Sequence, residues 1–179
     1  MAIHGVQVVS IPDAHSLGQI ARDVDQFPPD IRGPVLREEV MKRILEETEV
    51  RIDDGLLDAR VDLMIDRHKM QLEAGATFEQ QLAASCTSEV ALRLELRSVA
   101  TEKIRQEAVI HYLAETNGIT VTAQDLDEPI ATLAGMLDVS TDEARDKLTR
   151  EGRLPAFFQT VLFEKVTDFL VEQALAAKV

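Results

Sequence analysis

The chain has 179 residues, enough for one domain with a short extension, and its surface charge is strongly acidic. It contains 19 Lys and Arg against 32 Asp and Glu, a formal net charge of −13. A field of that sign repels phosphate backbones and anionic membranes, which argues against nucleic acid and membranes as partners. The single cysteine, Cys86, excludes an intrachain disulfide and a cysteine-based zinc site. Without an apolar run of membrane-spanning length or a signal-like start, we expect a cytoplasmic protein.

The N-terminal residues differ in pattern from the rest of the chain. Residues 1–15 are predicted to be an N-terminal extension, in which the β-prone residues 3–11 form a short strand or a tail. A helical domain is expected over residues 16–179, starting with a short helix from residue 16 to about residue 24. Pro34 suits the first turn of the next helix.

The first of two similar helical hairpins is predicted after residue 50. Asp53 can cap a helix that Gly75 ends. Thr77 and Gln80 have the spacing of a capping box, which predicts a short second helix to about residue 85.

A long central helix and a second hairpin follow. The central helix is predicted from residue 87 or 88 to Gly118, which suits a left-handed C-terminal cap. Thr122 opens the next helix, which Pro129 must kink or shorten. Residues 140–143 form another capping box, Gly152 ends that helix, and the last helix runs from about residue 154 to 177. The chain is therefore predicted to be all-α.

The two hairpins match when they are laid 69 residues apart. Val50, Ile52, Leu57, Val61, Met64, Ile65 and His68 fall on Ile119, Val121, Leu126, Ile130, Leu133, Ala134 and Leu137. Both a duplication and a chance agreement of generic helical patterns account for the match.

The first helix of the first hairpin carries apolar residues on two sides. Leu57, Val61 and Ile65 share one face, whereas Leu56, Leu63 and Met70 form a second stripe about 140° away. One hairpin partner covers only one side, so the second stripe meets another part of the body, a second subunit or a transient ligand. Methionine suits a tolerant binding surface because its side chain adapts to varied shapes.

Two other helices also present apolar residues in more than one direction. The stripe of the central helix winds around the axis, so its two ends must face different neighbours. This stripe comprises Leu92, Leu96, Ala100, Ile104, Ala108 and Tyr112. In the last helix, the adjacent Phe157 and Phe158 cannot face the same way, so one of them is a candidate for an exposed groove.

We find no constellation that indicates catalysis. The chain shows no glycine-rich phosphate loop and no nucleophile elbow, and the paired Glu-x-x-His motifs of a di-iron bundle are missing. His68 takes the place of Leu137 in the second hairpin, which predicts a half-buried packing residue. We expect no cofactor, no metal and no enzymatic activity.

Three stretches resemble the C-terminal domain of bacterial trigger factor. Residues 50–62 (VRIDDGLLDARVD) are similar to the extended lead-in and first arm helix of that family. Residues 116–126 (TNGITVTAQDL) resemble its "G-I-x-V-T-x-x-E-L" entry to the second arm. Residues 152–158 (GRLPAFF) and 166–175 (VTDFLVEQAL) are similar to its closing helix. The likeness spans about residues 34–179, and residues 16–35 match the segment leading into the domain.

The resemblance implies an elongated multi-helix body with two helical-hairpin arms around a long central helix. It implies an ATP-independent holdase that cradles unfolded or nascent polypeptides. From the net charge we expect the acidic surface to attract basic clients at modest salt. A dedicated adaptor that binds one partner, or a homodimer, is the alternative. The ribosome-docking signature and the prolyl-isomerase domain have no counterpart, so those activities are not carried over. The candidate client-binding residues are Leu56, Leu63, Met70, Phe78, Met136, Phe157 and Phe158.

Overall fold

The computed structural model describes residues 4–70, 77–85 and 87–178, and almost all regular structure in these ranges is helical. The predicted all-α class is confirmed. The helices are α1 (Ala14–Asp23), α2 (Pro29–Glu47), α3 (Asp54–Met70), α4 (Phe78–Ala84), α5 (Glu89–Thr116), α6 (Asp127–Leu137), α7 (Thr141–Arg150) and α8 (Leu154–Ala176). Short 3₁₀ turns, Val24–Gln26 and Gln124–Leu126, follow α1 and precede α6.

Two short strands form the remaining regular structure of the described residues. β1 (Val6–Ser10) pairs antiparallel with β2 (Glu49–Ile52), with Val6 opposite Ile52. Of the two predicted options for the N-terminal residues, a strand or a tail, the strand is observed. Gly5 precedes β1 with a φ of +84°, a conformation that glycine adopts without a Cβ clash.

The helices divide between two compact units. The terminal unit contains residues 11–48 and 110–178, and the middle unit contains β1 together with residues 49–109. β1 therefore groups with the middle of the chain, whereas the sequence predicts an extension over residues 1–15 and one domain over residues 16–179. The boundary at residues 109 and 110 falls inside α5.

The core of the middle unit is formed where α3 packs against α5. Its buried residues are Leu57, Val61, Ile65, Leu96, Ala100 and Ile104. The predicted apolar stripe of α5 is thus buried over Leu96 to Ala108, but Tyr112 at its end is 39% exposed. In the last turns of α5, Leu113 and Ala114 are buried instead.

In the terminal unit, α6, α7 and α8 share one core and α1 and α2 pack on α8. The core that α6, α7 and α8 share comprises Leu126, Ile130, Ala134, Ala144, Leu148 and Val161. α1 approaches α8 so closely that a Cβ added at Gly18 would lie 2.3 Å from the Ala177 carbonyl oxygen. A glycine is therefore required at this contact.

Equivalent residues of the two hairpins are buried in the two cores. Leu57, Val61 and Ile65 on α3 correspond, at the offset of 69, to Leu126, Ile130 and Ala134. Met64 and its equivalent Leu133 are partly buried beside their respective cores. The positions that match in sequence between the hairpins are therefore also buried in the same way in the structure.

The predicted helix ends are largely observed. In the first capping box, the Gln80 backbone N–H donates to Thr77 Oγ1 at 3.2 Å and the Thr77 N–H donates to Gln80 Oε1 at 3.0 Å. Ser140 and Glu143 make the second capping box. Gly118 has the left-handed backbone expected of a cap, with φ +66°. The predicted stop at residue 75 lies outside the described residues, as does residue 86.

The prediction for Pro34 was wrong. α2 begins five residues earlier, at Pro29, which takes the first-turn position. Pro34 therefore lies inside the helix, where its ring removes the hydrogen bond to the Asp30 carbonyl. Asp30 and Pro34 are both exposed, so water can hydrate the Asp30 carbonyl. Pro129, by contrast, shortens its helix as expected, because α6 begins only at Asp127, after a 3₁₀ turn.

Candidate functional site

The middle unit contains a cleft on one flank of the α3–α5 packing. Its volume is about 300 Å³. The side chains that line it are Arg60, Leu63, Met64, Arg67, His68 and Lys103, and we call it the basic cleft. His68 is exposed there, so its prediction as a half-buried packing residue was wrong. The buried cluster of α3 ends at Ile65, one turn before His68.

The opposite flank of the same packing is closed by ion pairs. Arg93 Nη1 lies 2.8 Å from Asp62 Oδ1. The hydrogen bonds of Arg93 to Asp62 and to Glu89 raise the pKa of Arg93. Arg97 pairs with both Asp54 and Asp58. Two basic side chains of α5 are therefore neutralised on this flank by three carboxylates of α3.

The basic cleft is only partly neutralised. Arg60 Nη2 lies 2.9 Å from Glu107 Oε1. Within the part of the chain that the structure describes, Arg67 and Lys103 make no ion pair and no hydrogen bond. The cleft thus has a local positive charge in a chain whose net charge is −13.

The predicted second stripe of α3 does not form one continuous surface. Leu56 is partly buried and packs beside the core of the middle unit. Leu63 is 59% exposed and lines the basic cleft, and Met70 at the end of α3 is 81% exposed. Phe78 also packs against the core, with Lys69 Nζ 5.1 Å from its ring centroid, a cation–π contact.

The terminal unit contains a cleft of about 320 Å³ with the opposite charge. It is lined by Asp125, Glu128, Pro129, Phe157, Thr160, Val161, Glu164, Lys165 and Asp168, and we call it the acidic cleft. A hydrogen bond from Lys165, together with those from Thr122, lowers the pKa of Asp125 to about 2. Arg37 pairs with Glu164 and Asp168, which raises the pKa of Arg37.

The predicted residues of the terminal unit lie in different surroundings. Phe157 lines the acidic cleft and packs against the core beneath it. Its neighbour Phe158 is 36% exposed, as expected if the two rings face different ways. Met136, near the end of α6, is 79% exposed and lies outside the lining of the acidic cleft.

One exposed apolar pair was missed by sequence reasoning. Val90 and Leu94 on α5 are 70% and 67% exposed. They are spaced by four and lie on the side of the helix away from Leu92 and Leu96. Their position on the face of α5 opposite the buried stripe is the sequence signal that identifies them as exposed.

Among residues 4–70, 77–85 and 87–178, no group of three or more His, Cys, Asp or Glu is placed to hold a metal ion. None of the helices in these ranges is long and apolar enough to cross a membrane. Each unit has its own candidate site: the basic cleft in the middle unit and the acidic cleft in the terminal unit, each with exposed apolar side chains on its hairpin helices.

Comparison with protein families gives a match over most of the chain. The family described as "Bacterial trigger factor protein (TF) C-terminus" matches residues 35–172. Trigger factor 1 of Desulfitobacterium hafniense (strain Y51) is 30% identical over 136 residues, which are 75% of this chain and 32% of that protein. Trigger factor of Brevibacillus brevis is 24% identical over 155 residues, 86% of this chain and 34% of that protein. The chain spans about a third of the length of these relatives.

Solved structures show the same fold. One comes from work on promiscuous substrate recognition in folding and assembly activities of the trigger factor chaperone. It superposes with a TM-score of 0.62 at 26% identity and covers 88% of this chain and 36% of that chain. A second, from work on the domains of trigger factor from Thermotoga maritima, has a TM-score of 0.59 at 24% identity. The two cover similar shares of this chain, 88% and 83%.

Proposed function

This chain belongs to the family of bacterial trigger factor C-termini, and from that premise we propose that it is an ATP-independent chaperone that holds unfolded or nascent polypeptides in the cytoplasm. No covalent chemistry is required of such a protein. It needs apolar contacts that many sequences can share, separated by polar groups so that no single client stays bound.

The observation that carries the proposal is the set of exposed apolar side chains on the two hairpins. Leu63 and Met70 are open on α3, and Met136 is open on α6. Arg60 and Arg67 line the basic cleft together with Leu63, so this apolar side chain has charged neighbours. The unbranched thioether side chains of the two methionines fit irregular partners, so the surface can accept clients of different shape.

One of the structural relatives also supports the proposal. It belongs to a study of promiscuous substrate recognition by the trigger factor chaperone. Promiscuous recognition is the behaviour expected of scattered, adaptable apolar contacts rather than of one shaped pocket. Each of the two clefts described above, at about 300 and 320 Å³, has room for one or two side chains of a client segment.

Suppression of aggregation tests the proposal directly. Two unrelated chemically denatured proteins are diluted into buffer without ATP, and light scattering is followed with this chain at a several-fold molar excess. We expect reduced scattering for both clients. The variant Leu63→Ser/Met70→Ser/Met136→Ser should lose at least half of that protection, because it removes the exposed apolar contacts of both hairpins.

The matched control is Val9→Ser/Ile31→Ser/Leu175→Ser, which removes three exposed apolar side chains that lie outside the hairpins. Circular dichroism of both variants checks that the helices are intact. Equal protection by the two variants contradicts the role of the hairpins. If the wild-type chain protects no client but retains one stoichiometric partner in a pull-down, the protein is a dedicated adaptor instead.

A further inference from the structure

The basic cleft has a charge opposite to that of the molecule. Arg60, Arg67 and Lys103 bring three formal positive charges to one cleft, against the single carboxylate of Glu107 that pairs with Arg60. None of the described lining residues is acidic. In a chain with a net charge of −13, such a local excess of cations marks the cleft as different from the surface around it.

Arg60 pairs with Glu107 between α3 and α5, whereas Arg67 and Lys103 make no such pair among the described residues. Arg93 and Arg97 already tie the two helices together on the opposite flank. Arg67 and Lys103 contribute no comparable pair within the described residues. Arg and Lys that serve a structural role between helices are usually buried or paired. Two cations that face one cleft with no partner among the described residues therefore favour recognition of an anion.

The lining is also apolar, which restricts the kind of anion. Leu63, 59% exposed, and Met64 contribute hydrocarbon surface beside the three cations. An isolated phosphate would leave that apolar surface unused. A polyanion would be repelled by the rest of the molecule within a screening distance of about 8–10 Å. A short peptide segment with a carboxylate next to an apolar side chain can contact both the cations and the apolar side chains of the cleft.

We propose that the basic cleft selects client segments in which Asp or Glu lies next to an apolar residue, so that this chain binds acidic-apolar stretches of unfolded polypeptide on its first hairpin. The proposal rests on the proposed chaperone function and names a substrate class for part of it. Arg67 and Lys103 bind the carboxylate, and Leu63 with Met64 contacts the neighbouring apolar side chain.

Three labelled peptides that differ only in charge test the proposal. Each has the same apolar residues, flanked by Glu in the acidic probe, Gln in the neutral probe and Lys in the basic probe. Binding to the full chain is measured by fluorescence anisotropy at low and at physiological salt. We expect the acidic probe to bind more tightly than the neutral one, with a difference that shrinks as salt rises.

The variant Arg67→Gln/Lys103→Gln should weaken the acidic probe about fivefold to tenfold, because two charged contacts are lost. It should leave the neutral and basic probes nearly unchanged. The matched control, Lys147→Gln/Arg150→Gln, makes the same change in net charge on exposed residues of α7. The charge reversal Arg67→Glu/Lys103→Glu should make the basic probe bind better than the acidic one.

Several outcomes would overturn the proposal. If the cleft variant weakens all three probes equally, or if the cleft and control variants have equal effects, the cleft does not select clients by charge. Tighter, Arg67-dependent binding of a labelled oligonucleotide assigns the cleft to nucleic acid. A wild-type dimer that dissociates in Arg67→Gln/Lys103→Gln, measured by analytical ultracentrifugation, assigns it to a second copy of this chain.

Failure of this proposal is separable from failure of the proposed function. If the cleft variant suppresses aggregation as well as the wild type and the neutral probe still binds, the chaperone function stands without charge selection. If the wild-type chain binds no probe and protects no client, the chaperone function itself fails.

Discussion

Gly18 shows how one residue determines a helix contact. It is located on α1 where the backbone of Ala177, at the end of α8, approaches it, and an added Cβ would lie 2.3 Å from a carbonyl oxygen. Atoms of the backbone cannot yield as a flexible side chain can. Gly135 on α6 is also helical, but apart from its chain neighbours and the backbone of its own helix no atom lies within 4 Å of the position that a Cβ would take there. The position of Gly18 therefore has no room for a side chain, whereas the position of the second glycine does, although both lie in helices.

Alanine substitution at these two glycines should have opposite effects on stability. Gly18→Ala should lower the free energy of unfolding by about 1–3 kcal/mol, the usual cost of overpacking a close contact. Gly135→Ala should raise it by up to about 1 kcal/mol, because alanine favours the helix and restricts the unfolded chain. Urea unfolding followed by circular dichroism at 25 °C measures both. A loss at Gly135 equal to that at Gly18 would contradict the role of the α1–α8 contact.

At the scale of elements, the two hairpins use equivalent residues for separate cores. Ile65 on α3 is buried among residues of α3 and α5, whereas its equivalent Ala134 on α6 is buried among residues of α6, α7 and α8. The two clusters share no residue. A defect in one core should therefore open its own helices first, because local unfolding follows the contacts that hold an element.

The variant Ile65→Ala is expected to loosen the middle unit selectively. Removing the side chain from a fully buried site costs about 2–5 kcal/mol, which is enough to raise the open population of α3 by about 30-fold or more. Hydrogen exchange followed by mass spectrometry should show faster exchange in α3 while peptides of α7 keep their protection. Ile130→Ala is the matched variant, and it should produce the reverse pattern. Uniformly faster exchange in both variants would show that the two cores unfold together.

The helix ends were predictable from sequence because they rest on contacts between residues three or four apart. Both capping boxes and the glycine cap at Gly118 are of this kind. The start of α2 was not, since Pro29 and Pro34 each suit a first turn. The exposure of His68 and the charge of the basic cleft depend on which side chains of α5 face α3. Sequence periodicity does not report such pairing across helices.

For the whole molecule, the charge is distributed unevenly along the chain. Residues 11–48 and 110–179 carry 20 acidic and 11 basic side chains, a net −9, whereas residues 2–10 and 49–109 carry 12 and 8, a net −4. The acidic cleft lies in the more negative part, and part of its charge is compensated by Lys165 and Arg37. We therefore expect the long-range field to attract basic chains, whereas the proposed selection of acidic segments by the basic cleft acts at short range.

The rate of encounter with a basic unfolded client should therefore fall as salt rises. Charge steering acts through the association rate, and screening beyond about 8–10 Å removes it at physiological ionic strength. In stopped-flow fluorescence we expect the association rate constant to drop severalfold between about 20 and 200 mM salt, with the dissociation rate nearly constant. A client with the same apolar residues and no net charge is the control, and its association rate should stay flat. A salt-independent rate for the basic client would mean that the net charge of −13 serves to keep the protein dispersed rather than to attract clients.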